Sequence, residues 1–370
     1  MAADVFFARL RARKPKENKT NRIRKLFDRA GFGNLITPGD LVAVKLHFGE
    51  MGNDSFLHPV YVRRVVDSIR QAQGKPFLTD TATLYTGSRK NAVDHLETAV
   101  MHGFAYSVVN APVIIADGLK SHGEVEVEIG KKRFQKVRIA DAVASADSMM
   151  VLSHVKGHEL AGFGGAIKNL AMGCATARGK KEQHSAKPVV KADKCRACGL
   201  CAQVCPTGAV EDRDGKSFIN PELCIGCGEC MTRCPEKAID LDWRTDIAEF
   251  MERMTEYAYG AVVGKPGKVG YINFLMNITP DCDCVPWSDA PMVPDLGILA
   301  STDPVAIDKA SHDLVTAAPG IVGTKLPHDH AAEGQDKFAG VWGYTQGLLQ
   351  ITYGEEIGLG SAEYNLVEVK

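Results

Sequence analysis

Eight cysteines in two copies of one pattern constrain this chain more than any other feature. The first copy is Cys195-x2-Cys198-x2-Cys201-x3-Cys205-Pro206, the second Cys224-x2-Cys227-x2-Cys230-x3-Cys234-Pro235, offset by 29 residues. Three thiolates two residues apart can wrap one corner-rich metal cluster, while a fourth placed just before proline points away from it. Zinc knuckles also use C-x2-C pairs, but a zinc ion takes four ligands, usually as two separated pairs. That leaves two runs of four ending in Cys-Pro unexplained. Gly199, Gly226 and Gly228 lie inside the ligand loops, where backbone must approach inorganic sulfide closely and donate N–H groups to it. The apolar Val204, Ala209, Val210, Ala238 and Ile239 follow the motifs and can shield such clusters from water.

The stretch from about Val190 to Asp242 resembles a bacterial-type two-cluster ferredoxin over its whole length. In such ferredoxins the fourth cysteine of each run ligates the other cluster. The resemblance therefore implies that Cys195, Cys198, Cys201 and Cys234 hold one [4Fe-4S] cluster, and Cys224, Cys227, Cys230 and Cys205 the second. The segments after each run, Gly208 to Asp212 and Lys237 to Leu241, read as matching short strands. With seven Lys/Arg against nine Asp/Glu the segment is only mildly acidic. That suits delivery of electrons within one polypeptide better than free shuttling.

The chain has 370 residues, 45% hydrophobic and 24% charged, so about 320 residues outside this segment must build a body of their own. Lys plus Arg total 44 against 45 Asp plus Glu. This balance gives no reason to expect nucleic acid or a membrane surface as partner. No apolar run reaches the roughly 18 residues needed to cross a bilayer, and Met1 to Lys16 lacks a signal-peptide core. A cytoplasmic location is expected. In that reducing compartment eleven cysteines point to metal ligation or catalysis rather than disulfides.

The body reads as strands alternating with helices. Leu41 to Phe48, Pro76 to Asp80, Val113 to Ala116, Met149 to Ser153, Val269 to Leu275 and Gly297 to Ala300 are apolar runs of buried-strand type. Val60 to Ala72, Val93 to His102 and Ile247 to Tyr259 read as helices; in the first, Val62, Val65, Val66 and Ile69 share one face. The expected fold class is α/β with a largely parallel sheet. The body spans residues 1–189 and 243–370, and the α+β ferredoxin-like module of residues 190–242 is an insertion in it. Polar residues just past strand ends are then the ones to watch.

The densest such run is Ser153 to Gly173. It carries His154, Lys156 and His158, a turn with Gly162, Gly164 and Gly165, then Lys168 and Asn169. A glycine-rich loop entering a helix offers free N–H groups to a carboxylate or phosphate. His154, Lys156, His158 and Lys168 are the candidate catalytic residues, binding an anionic substrate or cofactor and donating protons. Lys45, Gly164, Gly165, Asn169 and His184 are candidate cofactor-binding residues. Asp281-Cys282-Asp283-Cys284 is a further candidate metal site. Two thiolates can serve one metal, with Asp281 or Asp283 adding oxygen, and Cys174 or His154 could close the set. Soft thiolates favour iron or zinc, with nickel also open; a metal-free thiol pair is the alternative. Asp303 reads as the N-cap of a helix starting near Pro304, with Asp308 one turn in, and His328-Asp-His330 as free surface histidines.

These runs, Lys45-Leu-His-Phe-Gly-Glu, His154-x-Lys156-x-His158, Gly-Gly-Ala-Ile-Lys168-Asn-Leu-Ala-Met-Gly, Asp281-Cys-Asp-Cys and Ala300-Ser-Thr-Asp-Pro-Val-Ala-Ile-Asp308, resemble the DUF362 family of iron–sulfur centre proteins over nearly the whole chain. The family has no generally assigned reaction, so the resemblance implies architecture. The stretch from His158 through Lys168 to His184 is also similar to nickel-pincer lactate racemases, with the same offsets of ten and sixteen residues. There the lysine bears a nickel–nicotinate derivative, the later histidine ligates nickel and the earlier one moves protons. That likeness implies an attachment or anion-binding role for Lys168 and a metal-ligand or acid/base role for His184. Two readings of function follow. Either the clusters feed electrons to a site in the body, making a redox enzyme or reductive activator, or the chain is an electron-transfer or metal-handling accessory without catalysis. An electron donor or acceptor protein is the expected partner in both.

Overall fold

A computed structural model describes residues 2–85, 87–184, 188–205, 207–224, 229–241 and 247–370. Its strands are β1 (Ala3–Arg9), β2 (Leu41–Lys45), β3 (Lys75–Asp80), β4 (Val113–Ile115), β5 (Glu124–Glu128), β6 (Lys136–Ala140), β7 (Ser148–His154), β8 (Lys156–His158), β9 (Gly162–Gly164), β10 (Pro188–Val190), β11 (Val210–Arg213), β12 (Lys216–Ile219), β13 (Ile239–Leu241), β14 (Val269–Leu275), β15 (Gly297–Ser301) and β16 (Tyr364–Glu368).

Among the described residues the body is built on an eight-stranded sheet in the order β16-β1-β15-β14-β7-β2-β3-β4. Only β15 runs against the others; β14, β7, β2, β3 and β4 are mutually parallel neighbours. The mixed α/β architecture expected from the alternating pattern is therefore observed. The central strands β7 and β14 are buried along their whole length, as strands covered on both faces must be. One apolar core packs the helices Ala166–Gly173, Ile247–Val262 and Pro304–Ala317 on one face. A second core packs Lys19–Arg29 and Pro59–Gln71 on the other. Strands β1 and β16 at one end of the sheet carry no alternation strong enough to be read from sequence, and the β5–β6 hairpin is amphipathic and surface-lying. No helix among the described residues is long and apolar enough to cross a membrane.

On the chain path from β7 to its parallel neighbour β14, the described residues between 188 and 241 form a small unit of two two-stranded sheets. Strand β10 pairs antiparallel with β13, and β11 with β12. Cys201, Ile219, Cys230 and Ile239 make its own core.

The helix Ala166–Gly173 starts against a carboxylate from another element. Asp308 Oδ1 accepts from the Ala166 N–H at 2.7 Å and from Asn273 Nδ2 at 2.7 Å, and Oδ2 accepts from the Ile167 N–H at 2.9 Å. A Cβ at Gly165 would run into that carboxylate. Burial, the largest influence, raises the Asp308 pKa to about 6, against the hydrogen bonds that hold the ionised form. The helix Pro304–Ala317 that carries Asp308 is capped as its sequence predicts. Asp303 Oδ1 accepts from the Val305 and Ala306 N–H groups at 2.9 Å each.

Beneath the carboxyl ends of β2 and β3 lies a buried charge cluster. Lys45 Nζ sits 3.1 Å from Asp80 and donates to Asn169 Oδ1 at 2.7 Å. Arg89 bonds Glu50 at 3.1 Å and lies 3.6 Å from Asp80. Asp80 is held well below the usual carboxylate range; burial opposes this, but Lys45, His47, His95 and Arg89 outweigh it. His95 is fully buried, and its ring nitrogens find no hydrogen-bond partner among the described residues. Burial above all depresses its pKa to about 3.

Two outcomes follow. Gly165→Ala should cost roughly 2–4 kcal/mol in urea unfolding, because the Asp308 carboxylate must leave the helix N–H groups it serves; an unchanged midpoint would refute the close approach. His95 is neutral when folded but gains a proton when unfolded below its ordinary pKa of 6.5. Unfolding therefore takes up a proton, and stability falls as pH drops from 6.5 toward 3. The His95→Phe variant loses this dependence. Its stability relative to the parent should improve by about 1.4 kcal/mol for each pH unit below 6.5, read as urea midpoints at pH 7.5, 6.5 and 5.5. Parallel pH profiles would contradict a neutral buried His95.

Candidate functional site

The carboxyl ends of β7 and β14 meet the loop that follows β14, and the site grows from Asp283 in that loop. His154, the last residue of β7, sets Nδ1 at 2.9 and 3.0 Å from the two Asp283 oxygens. Its Nε2 lies 3.0 and 2.9 Å from the Met276 and Asn277 carbonyls. Both ring nitrogens thus face oxygen acceptors, and the ring bridges two strand ends. Lys156 Nζ is 3.3 Å from Asp283 Oδ2, and Ser55 Oγ donates to Asp283 Oδ1 at 2.9 Å. Asp283 is driven well below its ordinary pKa, chiefly because His154 and Lys156 overcome the cost of burial. It is an anchor engaged on every side, not a spare metal ligand. Asp281 is also engaged, with Lys325 at 3.0 Å and Trp287 Nε1 at 3.2 Å.

With Asp283 turned inward, Cys282 and Cys284 flank it in a tight turn closed by Val285 N–H donating to the Cys282 carbonyl at 3.1 Å. Both thiols and a ring nitrogen of His158 lie within 4.8 Å of one another, a group able to embrace a metal ion. Lys168 Nζ donates to Cys282 Sγ at 3.5 Å. Cys282 is pushed well below the ordinary thiol pKa by its hydrogen bond with Cys284, with burial opposing and Lys168 and Lys156 assisting. The same hydrogen bond, with burial, pushes Cys284 up. Burial tends to lower the Lys168 pKa, but the two sulfurs and Glu159 raise it overall.

His158 ends β8, and its Nδ1 accepts from the Leu160 and Ala161 N–H groups at 3.1 Å each. A nitrogen facing two donors keeps its lone pair there, so in the neutral ring the proton sits on Nε2. Burial, with Lys168 next, keeps the ring pKa well below its ordinary value. His184, at the end of the helix Ala177–His184, stacks on Phe250 at 5.2 Å between ring centres. Its pKa is lowered to about 4, by burial first and Lys168 second.

The structure thus gathers His154, Lys156, His158, Lys168, Cys282 and Cys284 around one turn. It places the other candidates differently. Lys45 is fully buried and spent on Asp80, Asn169 and the Leu46 carbonyl. Asn169 also donates to the Leu152 carbonyl and Ser153 Oγ, locking its helix to β7. The helix N-terminus at Gly165 holds the protein's own carboxylate, Asp308, where an external anion was expected. Gly164 leaves room for the aliphatic stems of Lys156 and Lys168. Cys174 is buried, its pKa raised to about 11 by burial, and it is not part of the cysteine–histidine group. His328 is exposed, as expected, whereas His330 is half-buried with Nδ1 2.8 Å from the Asp336 carbonyl and is not a free surface histidine. Two contributors escaped the sequence reading: Asp283 as anchor, and Tyr85, whose hydroxyl donates to the Cys284 carbonyl at 2.9 Å. A hydrogen-bonded carboxylate between two cysteines looks, in sequence, the same as a ligand.

In the small unit, backbone N–H groups converge on the motif sulfurs. Ala197 and Ser217 donate to Cys195 Sγ at 3.5 Å each, Ala209 to Cys205 Sγ at 3.2 Å and Ala238 to Cys234 Sγ at 3.3 Å. Cys195 is lowered in pKa chiefly by the Ser217 and Ala197 N–H groups; Cys205 is lowered despite burial. The geometry repeats with the same 29-residue offset as the cysteines. Cys195 N–H donates to the Lys191 carbonyl as Cys224 N–H does to Asn220, and Lys191 N–H to Ala238 as Asn220 N–H does to Ala209. The pairing of Val190 with Ile239 is matched by that of Ile219 with Val210. Each half therefore lends its last strand to the first strand of the pairing partner in a symmetric exchange. Cys227 lies outside the described residues.

Among curated proteins none matches this sequence. Two solved structures are similar in part. One is the lactate racemase apoprotein from Thermoanaerobacterium thermosaccharolyticum, at 12% identity and a TM-score of 0.38, covering 69% of this chain and 49% of that one. The other is a protein from Thermotoga maritima, at 8% identity and 0.36, covering 77% of this chain and 57% of that one. The chain thus spans about half the length of the solved chains it matches, and likenesses this slight carry no argument about its activity. Residues 42–313 match the family described as "Domain of unknown function (DUF362)". The match takes in well over half of the sequence, and the chain belongs to that family.

Proposed function

We propose that this chain is an iron–sulfur redox protein whose α/β body binds an anionic substrate or cofactor beside the Cys282–Cys284 turn. The observation that carries the reading is the doubled cysteine pattern together with its doubled backbone geometry. Two runs of four cysteines, related by 29 residues in sequence and in hydrogen bonding, are what two clusters with crossed fourth ligands require. The fit is chemical as well: N–H donors directed at cysteine sulfur stabilise the thiolate form that a cluster ligand must take. Cys195, Cys198, Cys201 and Cys234 would hold one [4Fe-4S] cluster, and Cys224, Cys227, Cys230 and Cys205 the other. When bound, such clusters supply electrons one at a time.

The body's own residues do the rest. Lys156 and Lys168 bring two ammonium groups to the turn, and among the described residues only Lys156 of the two has a carboxylate, Asp283, within ion-pair distance. Lys168 is thus the cation left to meet an incoming anion. His158, with its Nδ1 tied to backbone, carries its proton on Nε2 and can donate it. His154 acts by holding Asp283, and so the turn, in place. His184 stands behind Lys168 as a neutral ring. A protein that supplies or takes up the electrons is the corresponding partner.

Protein purified without oxygen should contain about eight irons and eight acid-labile sulfides per chain. Its visible chromophore should bleach with dithionite and return on reoxidation. Cys198→Ser should lower the iron content toward half while leaving the body folded by circular dichroism. Zinc in place of iron, or a chromophore indifferent to dithionite, would sink the reading. A full iron complement in a protein with no affinity for any small anion would instead favour an accessory that only passes electrons on.

A further inference from the structure

The turn at Cys282 holds more chemistry than anion binding uses. Its two sulfurs lie within 4.8 Å of one another, Cys282 is buried, and Cys284 is half-buried and nearer to solvent. Lys168 points its ammonium at Cys282 Sγ from 3.5 Å. The groups that could convert this pair into a closed metal site are otherwise occupied. Asp283 is bound by His154, Lys156 and Ser55, and Asp281 by Lys325 and Trp287. The His158 ring accepts two backbone N–H groups at Nδ1, which keeps its proton on Nε2. A metal-bound histidine has the opposite arrangement: its free nitrogen donates to an acceptor. His158 is thus held in a tautomer that does not suit a metal, and the donor directed at the sulfurs is Lys168. A thiol pair with an ammonium on one of its sulfurs is an environment for thiolate, and hence for thiol–disulfide chemistry.

We propose that Cys282 and Cys284 form a reversible dithiol–disulfide pair that stores two electrons at this turn, with Lys168 holding Cys282 as the resolving thiolate. The co-reactant class is a small disulfide, R–S–S–R. Cys284, the more accessible sulfur, attacks one sulfur of the disulfide; the new Cys284–S–S–R bond forms and RS⁻ leaves, taking up the proton that Cys284 gave. Cys282 thiolate then attacks Cys284 sulfur; the Cys282–Cys284 bond forms and the second RS⁻ leaves. One thiolate, one thiol and R–S–S–R become one internal disulfide, RSH and RS⁻. The protein pair is oxidised by two electrons and the small disulfide is reduced by two. The fixed position of Asp283 between the cysteines keeps the sulfurs on the same side of the turn in both states. Reduction runs the same steps backward from a dithiol. The proposal does not depend on iron in the small unit, so the two readings fail separately.

Trypsin releases residues 269–309 as one peptide, free of internal Lys and Arg and containing Cys282 and Cys284 as its sole cysteines. The holoprotein, prepared without oxygen, is exposed to bis(2-hydroxyethyl) disulfide, quenched in acid, alkylated and digested. The expected peptide is unalkylated and two hydrogens lighter than the dithiol form, and dithiothreitol restores both alkylation sites. Cys282→Ser should instead retain the hydroxyethyl adduct on Cys284. Lys168→Met should slow ring closure roughly tenfold, so that the adduct accumulates transiently, and Lys168→Arg should recover most of the rate. Circular dichroism confirms that each variant is folded. Two alkylated cysteines after exposure would overturn the proposal, as would equal closure rates in the parent and Lys168→Met. So would a stoichiometric metal ion in the purified protein that disappears in the Cys282→Ser/Cys284→Ser variant while the iron content stays the same.

Discussion

The Asp283 carboxylate is the contact on which the site depends. It is fully buried, and a buried carboxylate is tolerable only when its partners are charged or well-placed donors. Here they come from three parts of the chain: His154 from the end of β7, Lys156 from β8 and Ser55 from the loop after β2. Removing any one partner leaves charge in an apolar setting, so the three segments and the turn hold each other in register. That arrangement fixes Cys282 and Cys284 with their sulfurs within 4.8 Å of one another. It also explains why His154 sits at a strand end without facing open space. Its two ring nitrogens are spent joining Asp283 in the turn to the Met276 and Asn277 carbonyls.

A second buried carboxylate does for the helix what Asp283 does for the turn. Asp308 supplies the acceptors that the first N–H groups of the helix Ala166–Gly173 lack. Gly165 admits it, because a side chain there would occupy the same space. Lys168 stands within the first turn of that helix, so its reach to Cys282 is set by a helix start fixed from a neighbouring helix of the same core. The ion pair of Lys45 with Asp80, bridged to Asn169, fixes the other side of the same helix. The polar residues buried between sheet and helix are thus mostly positioning devices, and the groups left to do chemistry are few: Lys168, His158 and the two sulfurs.

Much of the fold was legible because its signals are local. Apolar runs bounded by turn residues mark β2, β3, β7, β14 and β15, and helical periodicity marks Pro59–Gln71. The Asp303 cap was readable from Asp-Pro alone. Strands β1 and β16 were not readable, because they owe their conformation to pairing partners far off in sequence. The site was half legible for the same reason. Cationic and imidazole residues crowded into 153–168 signal a site, and the residues gathered there include four of those named from the pattern. What sequence could not separate was a side chain that faces the pocket from one that faces its own scaffold. Lys45 and Asn169 read as ligands and are struts, whereas Asp283 read as a ligand and is the anchor. Only the long-range contacts distinguish them.

The placement of the small unit bears on how the two halves of the molecule work together. It lies within the connection between β7 and β14, the two strands whose ends carry His154 and the turn. The chain leaves the site through the helix Ala166–Gly173, which bears Lys168, and the helix Ala177–His184, which bears His184. After the small unit it returns by the helix Ile247–Val262, which packs directly on Ala166–Gly173 and stacks Phe250 on His184. Lys168 and His184 therefore sit on the very segments that lead into the insertion, and Phe250 on the one that leads out. The two helices that enter this part of the chain and the one that leaves it thus pack against one another beside the site.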